Sequence, residues 1–430
     1  MKKVLCTSLV LLMFLSGITV AFAATNKSTV AAAGTTTSPA IGTTGAAVTT
    51  TSPAIETSGA AVTTTSTAIG TSGAAVIVPD MTFAGTPVKL SLDAAYKKVL
   101  ADSPGAEMAE LNKQSAVGIA NGFGERVHLI SKAEDSPKDL DYSTTDKNIL
   151  KIQKEYAAAQ GPRNYEAELN KMKSDTLDNY YTLKELENQV QIAKDNLSLK
   201  ETLLRNTQLK YKLGTVSKSD VLKAETSMYE AKDSLLAATD GLYQMKMAFN
   251  QFMGYDLMQN VTLTDTITEI PLSSKALAAS IKDALANRNE IYTAAYNVKV
   301  STLNLVNYKA YPMSSSKQIN AKISLLMAET NYKNAPLTVE SDVRNKFMAM
   351  NEKYSAVQTG KKAVENARET ERLTRLQYDA GMATLSDVEG AQLSYYTEQL
   401  DYSKALLQYN LAVNDYELAY TVGTTASKIN

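Results

Sequence analysis

Residues 211–225 read YKLGTVSKSDVLKAE, and residues 378–392 read YDAGMATLSDVEGAQ. The two stretches share Tyr, Gly and a Ser-Asp-Val triplet at an offset of 167 positions, and each lies between long segments of helical character. Gly214 and Gly381 suit the left-handed position just beyond a helix end. Three residues later, Ser217 and Thr384 fit N-caps, which places Asp220 and Asp387 at the third helical position, near the positive end of the next helix dipole. Each stretch therefore predicts helix, tight reversal, helix.

The match extends outward without a gap. Arg205, Thr207 and Leu209 correspond to Arg372, Thr374 and Leu376, and Ala224, Ser227 and Tyr229 correspond to Ala391, Ser394 and Tyr396. A register that holds through a turn marks an internal duplication. Beyond the second turn, Val388, Tyr395, Tyr402, Tyr409 and Tyr416 recur at sevens; Val221, Met228, Leu235, Leu242 and Phe249 do so beyond the first. Such a repeat is a coiled-coil seam. The second copy carries another seam, Leu393, Leu400 and Leu407, about 160° away around the helix. Seams on nearly opposite sides require a neighbour on each, as in a wall or cylinder of helices; burial inside a monomeric bundle is the other reading.

Long helices are expected over about Tyr165–Leu213 (after Pro162, roughly 70 Å long), Ser219–Met253, Lys275–Val306, Val339–Ala380 and Ser386–Tyr420. The expected fold class is mainly all-α, built of duplicated long antiparallel hairpins. The first repeat covers 88–270, the second 271–424, and 425–430 form a tail.

The preceding residues read differently. Lys2 and Lys3, the apolar run Leu9–Val20 and Ala21-Phe22-Ala23 form a secretory signal over 1–23. Cys6, the single cysteine, would leave with it. Residues 24–87 are a Thr/Ala/Ser/Gly linker holding three 14-residue units, TTTSPAIGTTGAAV, TTTSPAIETSGAAV and TTTSTAIGTSGAAV, a composition too poor in large apolar residues to offset chain entropy. A flexible exported arm is the plain reading; a glycosylated stalk or a segment threading the cell wall is the sharper one.

Composition narrows the function. A formal net charge of −1 over 430 residues leaves no electrostatic footprint for nucleic acid. His128 is the only histidine, so triads and zinc sites lack their usual residues. The reading is a non-enzyme with no catalytic, cofactor or metal site.

The repeated pattern Tyr-x-x-Gly-x-x-(Ser/Thr)-x-x-Asp-Val, followed by a heptad helix, resembles the TolC-type outer-membrane efflux proteins. The openings of the halves, LSLDAAYKKVLADSPGAEMAELNKQSA and ALAASIKDALANRNEIYTAAYNVKVSTLNL, are similar to that family's opening helix. The resemblance implies a homotrimer whose hairpins build a hollow α-barrel, with the turns at the periplasmic tip. There they would meet a membrane-fusion adaptor coupled to an inner-membrane pump, either ABC or proton-driven. The implied docking and gating positions are Tyr211, Leu213, Gly214, Ser219, Asp220, Tyr378, Gly381, Ser386 and Asp387. Leu213-Gly214 fits the docking signature better than Ala380-Gly381.

Charge distinguishes the tips. Lys210, Lys212, Lys218 and Lys223 crowd the first; Asp379, Asp387 and Glu389 mark the second. Lys212, Lys218, Asp379 and Glu389 are the candidate partners for attraction between neighbouring tips, with solvated, unpaired charges as the alternative. The resemblance breaks where the family crosses the membrane. Residues 121–164 and 308–340 lack the alternating apolar pattern of transmembrane strands, so the membrane barrel is expected to be reduced or absent. The chain would then be an outer-membrane, periplasmic or cell-wall conduit, with a non-conducting coiled-coil spacer as the alternative.

Overall fold

The computed structural model describes residues 83–134, 144–273 and 275–429. The signal peptide, and the linker with its repeats as far as residue 82, lie outside the described residues. The first element, β1 (Ala84–Leu90), begins before the expected start of the helical repeat and pairs in parallel with β2 (Gln259–Leu263), Val88 opposite Val261.

The rest is helical: α1 (Leu92–Asp102), α2 (Pro104–Glu134), α3 (Thr144–Lys212), α4 (Lys218–Met253), α5 (Leu277–Asn287), α6 (Asn289–Asn307), a 3-10 turn at Tyr308–Ala310, α7 (Ser316–Asp379) and α8 (Leu385–Ala419). Ser91 starts α1 by accepting the Ala94 N–H, and Gly254, left-handed at φ 71°, closes α4. The 69 residues of α3 span about 100 Å.

Three expected boundaries move. α3 starts well before Tyr165 and runs through Pro162; α7 starts well before Val339 and runs through Pro336. A proline inside a helix forfeits one backbone hydrogen bond and crowds the preceding turn, and lateral packing overrides that cost. Gly161, beside Pro162, sits so close to α2 that an added Cβ would lie 2.7 Å from the Ala116 Cβ. The expected helix Lys275–Val306 is instead two helices, broken at Arg288 in extended backbone (φ −65°, ψ 134°). Arg288 is held there by Glu290 and Asp342 at 2.6 and 2.8 Å.

Segments 121–134, 144–164 and 316–340 are therefore helix, where the family resemblance would place membrane strands. Among the described residues β1 and β2 are the only strands, and no helix is long and apolar enough to cross a membrane.

The long helices form an open layer. α3 packs against α4 on one side and α8 on the other, and α8 packs against α7. α4 and α7 are its outer members, so the hairpins lie side by side and do not close into a four-helix bundle. The expected seams sort along this order. Phe249 meets Tyr180 of α3 with ring centroids 6.4 Å apart. Tyr409 and Tyr416 face Tyr354 and Phe347 of α7, each pair at 5.4 Å. The opposite face of α8 turns to the first hairpin, where Asn414 donates to the Ser174 hydroxyl at 3.0 Å. Large side chains such as Phe249, Tyr409 and Tyr416 are fully buried, and each stabilises the layer by roughly 2–3 kcal/mol.

At the opposite end the order is α2, α3, α6, α7. The chain's last residues lie along this end: Asn164 of α3 donates to the Ser427 carbonyl at 2.6 Å and accepts the Ser427 N–H at 2.8 Å.

Candidate functional site

The backbone closure and the helix cap are the same at both hairpin tips. Gly214 and Gly381 share φ 74°. The Gly214 N–H donates to the Tyr211 carbonyl at 2.9 Å, and the Thr215 N–H to the Lys210 carbonyl at 3.0 Å; Gly381 and Met382 do the same to Tyr378 and Gln377 at 3.1 and 2.8 Å. This paired closure satisfies the last carbonyls of α3 and α7, and only glycine takes the left-handed position without steric cost. Each following helix opens with a capping box. The Ser217 hydroxyl accepts the Asp220 N–H while the Asp220 carboxylate accepts the Ser217 N–H, and Thr384 with Asp387 is its copy. These hydrogen bonds hold the Asp220 and Asp387 carboxyls below the usual range.

One lysine makes three of the contacts that join the two tips. Lys210 donates to the Tyr378 carbonyl at 2.7 Å, lies 3.6 Å from the Tyr378 ring centroid, and reaches the Asp379 carboxylate at 3.5 Å. The Tyr378 hydroxyl in turn meets Thr207 at 3.2 Å. Farther along, Ser227 donates to Glu389 at 2.7 Å. Leu203, Ala224, Tyr378, Leu385 and Val388 make a small apolar core beneath these contacts.

All the site residues expected from sequence lie at these two turns, with unequal roles. Tyr378 is buried, whereas its counterpart Tyr211 is exposed. Leu213 is 78% exposed and Met382 is 76% exposed. Ser219 and Ser386 face solvent. Among the described residues Lys212 and Lys218 make no ion pair; Asp379 takes Lys210 instead, and Glu389 takes a serine. Sequence reading missed Thr207, Ser227 and Met382 and placed Lys210 only within a lysine cluster. Its position one turn before Gly214 was the available signal.

The family model described as outer membrane efflux protein matches residues 313–419, which span α7, the second tip and α8. Over these residues the chain is similar to the outer membrane efflux protein family. The structure is similar to that of the outer membrane protein VceC of Vibrio cholerae, with a TM-score of 0.63 at 13% identity, covering 78% of this chain and 97% of that one. The CmeC outer membrane channel of Campylobacter jejuni gives 0.59 at 12%, covering 78% and 87%. The open-state MtrE channel of Neisseria gonorrhoeae gives 0.51 at 13%, covering 78% and 91%. No curated protein matches by sequence. The structural similarity therefore extends over both hairpins, whereas the family model covers only the second.

Proposed function

We propose that this chain is the conduit of a cell-envelope efflux or secretion system. Copies of it would close into a tube at the outer membrane, and the tips would dock a membrane-fusion adaptor that leads to an inner-membrane pump. The carrying observation is the open layer α4–α3–α8–α7. A closed bundle would bury its own inner faces, whereas an open layer with two free edges is completed by further copies, and a ring of such layers encloses an axis. A homotrimer is the ring that the family resemblance implies.

The tips suit docking and gating. Leu213 and Met382 are large exposed apolar side chains on rigid, capped turns, and two such anchors presented together are typical of recognition surfaces. Lys210 and Asp379 supply a partly exposed ionic contact of the kind that adaptor binding would displace.

Electron microscopy of the purified chain tests the conduit. An oligomeric ring with an axial opening is expected; a monomer, or a ring filled along its axis, overturns the reading. Photocrosslinking in cells from positions 213 and 382 tests docking: both should link to a periplasmic adaptor, and a position on the opposite end, such as 313, should not.

A further inference from the structure

The end of the molecule remote from the tips carries two unpartnered helix faces that match each other. On α7, Ile319, Ile323, Leu326, Leu337 and Met348 fall on one face and are all exposed, Leu326 and Leu337 by 64% and 63%. On α2, Met108, Leu111, Gly118, Gly122 and Leu129 share an outward face; a Cβ added at Gly118 or Gly122 would meet nothing within 4 Å. These are the outer helices of the layer α2–α3–α6–α7, so one edge carries large side chains and the other a notch floored by glycine.

The two faces also match in height. Ala116 lies against Gly161, Arg163 donates to Asn289, and Arg288 pairs with Asp342. These contacts put Asp342 level with about residue 114 of α2. Moving away from the tips at 1.5 Å per residue, Leu337 lies about 8 Å on and the Gly118–Gly122 notch about 6–12 Å on. By the same count Leu326 comes level with Leu129, and Met348 with Met108. Charges follow suit: Lys333 comes near the level of Glu125, and Glu329 near that of Arg126. All four are exposed, and none of them is ion-paired within the chain among the described residues.

We infer that α7 of one copy seats against α2 of the next, Leu337 entering the Gly118–Gly122 notch, so that helices close the wall at the end remote from the tips. This deepens the conduit reading and rests on it. The contact is head-to-tail, one edge meeting the other, which closes a ring when the rotation permits. The same helix α7 is the outer member at the tip end, so the interface is continuous along it.

Cysteine pairs test this in the full-length chain. Glu125→Cys with Lys333→Cys should give, on mild oxidation, a ladder of disulfide-linked species ending at the ring size, while each single variant gives no ladder. Gly122→Leu touches nothing within the chain and should lower that crosslinking roughly tenfold by overfilling the notch; adding Leu337→Ala should restore it. A second cysteine pair joining the α4 and α7 edges near the tips reports the oligomer independently. If the tip pair links and the distal pair does not, the inference fails and the conduit stands; if neither links, both fail. Equal crosslinking by Gly122→Leu, or a polarity-sensitive dye at Leu337→Cys reporting lipid in cells, would also overturn it.

Discussion

At the scale of single residues the turns are governed by backbone conformation and capping. Gly214 and Gly381 have open space around them, so an added Cβ meets no neighbour and the cost of Gly→Ala is purely that of the left-handed backbone. Each substitution should lower stability by about 1–2 kcal/mol, read by urea unfolding, with Asn costing less at the same site. Glu185 of α3 obeys a different balance. It is 3% exposed, and burial raises its pKa, partly offset by Gln189 donating at 2.6 Å and by Lys404 of α8. A raised carboxyl pKa means the folded chain holds the proton more tightly than the unfolded one, so ionisation weakens the fold. Stability from this group is complete below the unfolded pKa and falls as pH rises through the folded one. Glu185→Gln should therefore raise the melting temperature at pH 7 and change it little near pH 4; an equal shift at both values would point to packing instead.

At the scale of elements, the glycine between α2 and α3 is the sharpest probe of the helices that stand in place of strands. Gly161→Val would drive a branched side chain into Ala116, and overpacking of this kind costs about 1–3 kcal/mol. Hydrogen exchange should show the loss along α2 and the first half of α3, with the tips unaffected; uniform exchange across α3 would contradict the close-approach account. Elements were legible in sequence wherever one local rule decided them. Ser217 and Thr384 cap as their spacing predicts, because a capping box is complete within four residues. The two opposed seams of α8 foretold a neighbour on each side, and α7 and α3 are those neighbours, although Leu393 at the tip end of the second seam stays exposed. The starts of α3 and α7 were not legible, because Pro162 and Pro336 read locally as breaks. What carries the helix past them is packing with residues far away in sequence, Ala116 against Gly161 in one case and Arg288 against Asp342 in the other. Lys210 was hidden for a similar reason: its partners Tyr378 and Asp379 lie 168 and 169 positions on, and the sequence offered four lysines without showing which one pointed inward.

At the scale of the whole molecule, the Lys210 contact is where the two hairpins of a chain are tied at the tip. Opening a ring of such tips requires neighbouring hairpins to move apart, and Lys210 spans that boundary. The pair is partly exposed, Lys210 by 22% and Asp379 by 47%, so the ionic component amounts to no more than about 1 kcal/mol. Such a term shifts a closed-to-open equilibrium about fivefold. Lys210→Glu should therefore raise leakage through the assembled conduit by roughly that factor. Lys210→Glu with Asp379→Lys should recover part of it, the Tyr378 carbonyl contact remaining lost. Because exposed pairs are screened, the difference between wild type and Lys210→Glu should shrink as salt rises from 0.01 to 1 M, over which the screening length falls from about 30 to 3 Å. Lys212→Glu, at a lysine with no ion pair among the described residues, is the control and should leave leakage unchanged. Equal leakage from the two lysine variants would mean that overall tip charge, not this contact, sets the closed state.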